Sequence, residues 1–199
     1  MSVFLAFSGG YLIGSLPTAN AIAGLFGIDL RAGGSGNPGT NNARRLGGYG
    51  LATSILLVEA AKGAGAVVTG GLVTGSVGMM AAGVGAVAGN VFNVWYRFRG
   101  GKGLGITLGV LLAAWPLGLV PIVVVIAALA LITRSTGWAS LGALVLLVTL
   151  GILWFPMGWP TGWGVSRTSL LPWLALGLAV VLAPKHLNDL LATRPQIRE

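Results

Sequence analysis

Long apolar runs, separated by short polar or glycine-rich stretches, dominate the chain. A helix needs about 20 apolar residues to cross the hydrocarbon core of a bilayer. On that measure the pattern predicts helical spans at about 3–26, 51–73, 76–96, 138–158 and 166–184. The run 104–133, "LGITLGVLLAAWPLGLVPIVVVIAALALIT", is long for one span and short for two. Trp115-Pro116 near its middle predicts a turn, because proline breaks the helix ladder and tryptophan favours the membrane interface. The opening MSVFLAFSGG has neither the cationic start nor the cleavage site of a signal peptide, so it reads as the start of a retained span.

Composition supports this reading. Of 199 residues, 55% are hydrophobic and only 8% charged, against roughly 25% charged in soluble domains. The whole chain, 1–199, therefore reads as a single membrane domain. Cysteine is absent, which excludes disulfides, a Cys-ligated metal and a thiol nucleophile. A net charge of +8 would point to nucleic acid in a soluble protein. In a membrane protein it follows from the excess of Lys and Arg on cytoplasmic loops, and no nucleic-acid partner is expected.

Charge also resolves the 104–133 run. If it is two short helices, the chain has seven spans. With the N-terminus outside, Arg31, Arg44, Arg45, Arg97, Arg99, Lys102, Arg134, Lys185, Arg194 and Arg198 then all lie on the cytoplasmic side. Only Arg167 lies outside, and Lys62 sits within a span. A single helix there would move Arg134, Lys185, Arg194 and Arg198 outside, against the positive-inside rule. The expectation is an all-α integral membrane protein with seven transmembrane helices, N-terminus outside and C-terminus cytoplasmic. Trp115, Trp154, Trp159 and Trp163 would then form an outer aromatic belt.

This topology gathers the polar segments on one face: a loop at about 27–50, another at 97–103, a third at 134–138, and the tail 185–199. The first contains "GGSGNPGTNN" and the second "RFRGGKG". Glycine lets backbone N–H groups approach a ligand closely, and successive N–H groups form anion-binding nests. With Arg44, Arg45 and Lys102 nearby, the loops add up to a phosphate or carboxylate site. Lys102 is followed by Gly103, not Ser or Thr, so this is no Walker P-loop. The competing reading makes Arg97, Arg99 and Lys102 topology determinants that meet lipid headgroups. Glu59 and Lys62, three apart within a span, can pair on one helix face. Ser15 and Asn20 read as helix–helix glue, and Gly83, Gly85 and Gly89 as sites of close helix approach. His186 reads as a solvated tail residue.

Three segments taken together resemble the acyl-phosphate-dependent glycerol-3-phosphate acyltransferase family, of the PlsY type. They are "GIDLRAGGSGNPGTNNARRLG" (27–47), "FRGGKGLGITLG" (98–109) and Glu59 three residues before Lys62-Gly63; "YLIGSLPTANAIAGLFGIDLR" (11–31) matches in spacing as well. The resemblance implies transfer of a fatty acyl group from acyl phosphate to glycerol 3-phosphate, giving lysophosphatidic acid at the start of phospholipid synthesis. It implies an inner-membrane protein in contact with membrane lipids, its active site on the cytoplasmic side, with no cofactor and no metal. By position, Ser35, Lys102 and Asn90 would be catalytic. Asn37, Asn42, Arg45, Gly100, Gly101, Ser140 and His186 would bind substrate, the N–H groups near Gly100 and Gly101 taking anionic oxygens.

The chain departs from the family pattern in places. Asn90 and Asn93 stand where histidine and proline are usual, Gly137 where a serine is usual, and Asn41 where threonine is common. In the tail His186 takes the place of an asparagine and Asp189 that of an arginine. Two alternatives accompany the acyltransferase reading: a catalytically weakened paralogue that binds phosphorylated lipid, and a small anion or lipid transporter.

Overall fold

The computed structural model describes residues 1–192, and the regular elements among them are all helical. They are α1 (Ser2–Ser15), α2 (Thr18–Gly24), α3 (Thr40–Val91), α4 (Leu104–Ala114), α5 (Pro116–Thr133), α6 (Thr136–Met157) and α7 (Leu171–Ala192), with 3-10 turns at Val94–Tyr96 and Thr168–Leu170. Among the described residues five stretches are long and apolar enough to cross a membrane: Ser2–Gly24, Thr40–Tyr96, Pro116–Thr133, Thr136–Met157 and Thr168–Leu191.

The second of these is folded on itself. A straight helix of 52 residues would be about 78 Å long, far beyond a hydrocarbon core of about 30 Å. Thr74 and Gly75 leave helical geometry, with Gly75 at φ +60°, and the arms 49–73 and 76–91 pack back against each other. A Cβ on Gly70 would lie 2.3 Å from the Gly78 carbonyl oxygen, and one on Gly78 2.0 Å from that of Gly70. The sequence expected separate spans at 51–73 and 76–96; they are the two arms of this hairpin, and the second leaves the α-helix at Val91. A further break at Gly48, φ +77°, sets off the short segment 40–47 ahead of the first arm.

The span expected at 3–26 is two helices. Proline has no N–H to donate and biases the residue before it towards extended geometry. Leu16, ahead of Pro17, accordingly takes φ −53° and ψ 125° and ends α1. The turn expected at Trp115-Pro116 is present: Trp115 adopts φ −153° and ψ 66° between α4 and α5. With 11 residues, α4 is only about 16 Å long.

Contacts sort the connections onto two ends. At one, Lys185 Nζ donates to the Gly100 carbonyl at 3.2 Å, and Gly137 lies against Leu190. At the other, Val165 N donates to Ala114 O at 2.9 Å and Leu117 N to Thr161 O at 3.3 Å. The glycine-rich turn, the start of α6 and the end of α7 therefore share one end. Small residues bring α1 onto the second arm of α3, where a Cβ on Gly85 or Gly89 would fall 2.2 or 2.0 Å from the Phe7 or Tyr11 carbonyl oxygen.

Other expectations need correction. Helix α7 runs through Ala192, so residues 185–192 are helical, not a loose tail; Arg194 and Arg198 lie outside the described residues. Only Arg134 and Ser135 separate α5 from α6, so Gly137 belongs to a helix. Trp115 and Trp154 are buried and stack edge to face at 5.0 Å, and Trp159 stacks on Trp154 in the same way. Of the four tryptophans expected in an outer belt, Trp115 and Trp154 are thus internal, with Trp159 exposed at the edge of their cluster, at the end away from the polar connections. Trp163 is exposed, with its indole N–H on Leu112 O.

Candidate functional site

The first polar loop is held by one buried side chain. Asn42 is 2% exposed. Its Nδ2 donates to Leu30 O at 2.8 Å and Gly33 O at 3.1 Å, while its Oδ1 accepts from Ser35 N at 2.9 Å. Gly34, at φ +60°, lies so close that a Cβ would be 2.2 Å from that Oδ1. Asn42 thereby shapes the loop carrying Ser35 and Asn37, and its amide is spent on the backbone. It was expected to bind substrate, and its hydrogen bonds are those of a clamp.

The second polar turn hangs from the end of α3. Gly101 N donates to Asn90 O and Gly100 N to Val91 O, each at 3.0 Å. The N–H groups of Gly100 and Gly101, expected to meet anionic oxygens, are therefore already committed. These glycines serve close approach instead: a Cβ on Gly100 would lie 1.9 Å from Asn90 O. The Asn90 amide donates to Glu59 Oε2 at 2.7 Å. Asn93 is buried, donates to Ser15 O at 2.7 Å and accepts from Trp95 N at 3.0 Å. Gly103, at φ +81°, turns the chain into α4 and presents Lys102.

Glu59 and Lys62 form a buried pair with Nζ–Oε1 at 3.0 Å. Their partners reach across three helices. Thr18 Oγ1 donates to Glu59 at 2.6 Å, and Lys62 donates at 2.8 Å to the Leu16 carbonyl, which also accepts from Thr18 N. The helix break in the first span is thus fastened to α3 and, through Glu59 and Asn90, to the glycine turn.

These pieces surround a cavity of about 610 Å³. Ser35, Asn37, Asn42, Arg45, Asn90, Gly101, Lys102 and Ser140 all line it. Its far wall is apolar, from Ile106 and Leu111 of α4, Leu119 and Ile126 of α5, and Leu144 and Leu147 of α6. The first turns of α3 and α4 line it too, capped by Gly39 and Gly103 without a side-chain bond. Unpaired N–H groups at such helix starts favour anions. Ser140 Oγ donates to Thr136 O at 2.7 Å.

Two expected residues stand apart. Gly100 faces a small adjoining pocket, not the main cavity. His186, expected in solvent, is 1% exposed, and it is not among the residues that line the cavity. Its Nε2 has no hydrogen-bond partner among the described residues. Burial follows from the extension of α7, which carries His186 inward. Residues outside the expected set also line the cavity, notably Glu59, Thr136 and Asp189. A carboxylate inside an apolar span marks Glu59 as a candidate. Asp189 lies three residues beyond His186, close to one helical turn, a spacing visible only once 185–192 is read as helix. Its carboxylate is paired with Lys102. Among the described residues no group of three or more His, Cys, Asp or Glu could hold a metal ion.

A cationic, glycine-framed pocket opening into an apolar cleft matches a phosphate joined to a hydrocarbon chain. The family model described as glycerol-3-phosphate acyltransferase matches residues 4–193. The glycerol-3-phosphate acyltransferase of Synechococcus sp. (strain JA-3-3Ab) is 40% identical over 181 residues, covering 90% of this chain and 82% of its own. That of Nitrobacter winogradskyi is 41% identical over 158 residues, or 78% of this chain and 79% of its own. The crystal structure of PlsY (YgiH), an integral membrane glycerol 3-phosphate acyltransferase, in its glycerol 3-phosphate form, superposes with a TM-score of 0.76 at 25% identity. It covers 98% of this chain and 94% of that one. The lysophosphatidic acid form of the same protein gives a TM-score of 0.78 at the same identity and coverage. Family model, sequence relatives and fold agree, and the chain belongs to the glycerol-3-phosphate acyltransferase family.

Proposed function

We propose that this protein transfers a fatty acyl group from acyl phosphate to glycerol 3-phosphate. The observation that carries the proposal is the continuity of one cavity, from Arg45 and Lys102 at its polar end to the apolar walls of α4, α5 and α6. Both substrates bring phosphate, and one brings an acyl chain. The glycerol hydroxyl oxygen attacks the acyl carbonyl carbon, a new ester C–O bond forms, and the carbonyl carbon–phosphate oxygen bond breaks. Inorganic phosphate leaves, with lysophosphatidic acid as the product, and phosphate oxygen accepts the hydroxyl proton.

Within that reaction Arg45 holds phosphate through its planar fork and Lys102 through a point charge. Ser35 and Asn37 bind oxygens from the first loop, and Ser140 from the start of α6. Asn90 acts by position, tying the Lys102 turn to Glu59. The first-turn N–H groups of α4 replace those of Gly100 and Gly101 as partners for developing negative charge at the carbonyl.

The same proposal places the protein as a single domain in the cytoplasmic membrane, among its lipids. It crosses seven times, counting both arms of α3 and the short α4, with its N-terminus outside. The cavity mouth and the end of α7 then face the cytoplasm, which the one-sided distribution of Lys and Arg supports.

Purified protein given acyl phosphate and glycerol 3-phosphate should release phosphate and form lysophosphatidic acid in equal amounts. Lys102→Ala should abolish most of that turnover. Binding of both substrates without product would overturn the transferase reading in favour of a phospholipid-binding paralogue.

A further inference from the structure

At the polar end of the cavity the Lys102 ammonium contacts the Asp189 carboxylate. The two arrive from opposite parts of the chain, Lys102 from the turn before α4 and Asp189 from the end of α7. Both line the cavity, and their side chains remain 31% and 35% exposed. An ion pair this open to solvent contributes little to folding, typically below about 1 kcal/mol. Its consequence lies in what else Lys102 can hold.

A phosphate that reaches Lys102 arrives beside a carboxylate already bound there. Like charges placed side by side at a recognition site weaken binding. Among the described residues several other charges at this end are cationic, while Asp29 of the first loop is spent on Arg31 N and Ala32 N. Arg45 lines the cavity, Lys185 donates to Gly100 O, and Arg31 donates to Arg99 O while stacking on Tyr96. Of the two carboxylates that line the cavity among the described residues, Glu59 is engaged by Lys62, Thr18 and Asn90. Asp189 is the one in contact with a cation assigned to phosphate.

Resting on the reading that Lys102 holds substrate phosphate, we propose that Asp189 sets the affinity of this site as an internal counter-ion that phosphate must displace. Transfer leaves inorganic phosphate beside the Arg45 and Lys102 cations. A carboxylate that reclaims Lys102 speeds its departure and limits inhibition by that product.

The test uses the full chain in detergent and measures binding of inorganic phosphate and of glycerol 3-phosphate by calorimetry, with glycerol as the uncharged control. Asp189→Asn keeps the shape and removes the charge; Asp189→Ser is the second variant, and thermal unfolding verifies that both fold. Both should bind the two phosphate ligands about three- to tenfold more tightly, with glycerol unaffected. Inhibition of turnover by inorganic phosphate should strengthen by a similar factor. The gain should shrink at high salt, as screening requires, and vanish in a Lys102→Ala background. Unchanged or weaker phosphate binding in both variants overturns the inference, as does a gain that persists without Lys102. If Lys102→Ala binds phosphate like the parent, the phosphate site itself is misassigned and the inference falls with it. If Lys102→Ala binds weakly while Asp189→Asn equals the parent, the inference alone fails.

Discussion

Several single residues at the site spend their hydrogen bonds on backbone geometry. Asn42 shows this most clearly, because one buried amide fixes two carbonyls and the Ser35 N–H. Removing it takes the side-chain partner from Leu30 O and Ser35 N, while Gly33 O keeps Gly36 N, and a buried unsatisfied group costs about 1–3 kcal/mol. Asn42→Ala should therefore lower thermal stability in detergent by about that amount and raise KM for glycerol 3-phosphate, because Ser35 loses its anchor. A KM equal to the parent's would separate the loop from substrate binding. Gly100→Ala tests the second turn. Its Cβ would meet a backbone oxygen at 1.9 Å, and backbone yields less readily than a flexible side chain. Overpacking of this kind costs about 1–3 kcal/mol, and the displaced turn carries Lys102, so turnover should fall along with stability. Both residues stood out in the sequence as parts of polar, glycine-rich loops. The sequence could not show which amides face a ligand and which are spent internally, because that depends on the carbonyls of Asn90 and Val91 folding back over the turn.

At the scale of elements, apolar run length made most helices legible. The 51–73 and 76–96 runs are the arms of α3, and the Trp115-Pro116 turn lies where proline and tryptophan placed it. Breaks decided by distant partners were not legible. Pro17 breaks the first span, and Lys62, 46 positions away, fastens the break by donating to the Leu16 carbonyl. The Glu59–Lys62 pair thus joins three helices and the glycine turn rather than decorating one. Removing a single member of a buried pair leaves an uncompensated charge and typically costs about 3–5 kcal/mol. Glu59→Ala should destabilise the protein by about that amount, the largest effect of the substitutions considered. Lys102 turnover should suffer too, because Asn90 loses its acceptor. A combined Glu59→Gln and Lys62→Met variant removes both charges, while the Gln oxygen can accept from Asn90 and its NH2 can donate to the Thr18 hydroxyl. It should recover much of the stability, as measured by thermal unfolding. If the double variant is as unstable as Glu59→Ala, then the charges are not what binds the helices together.

For the whole molecule, the decisive quantity is which side of the membrane each connection occupies. The contacts put residues 97–103, the start of α6 and the end of α7 at one end, and the 158–168 connection at the other. The charge pattern was legible from sequence because it is a count, and the proposed topology rests on it in placing the first end in the cytoplasm. The short α4 is the weak point of the count, since about 16 Å of helix covers only half of a hydrocarbon core of about 30 Å. It can complete a crossing because both its ends are buried in protein. Its first turn lines the cavity, and its last residue, Ala114, accepts from Val165 N. Irregular backbone is tolerated at membrane depth under those conditions. The chain has no cysteine, so single cysteines report sidedness without background. In intact cells a membrane-impermeant maleimide should label Ser2→Cys and Ser169→Cys. It should spare Asn41→Cys and Thr133→Cys until the membrane is opened. Were α4 and α5 one crossing instead of two, Ser169→Cys would become protected, and Thr133→Cys would react from outside while Asn41→Cys stayed protected. That pattern would place Lys102 and Ser140 on opposite sides of the membrane. They line one cavity, so the labelling tests the topology and the integrity of the site in the same measurement.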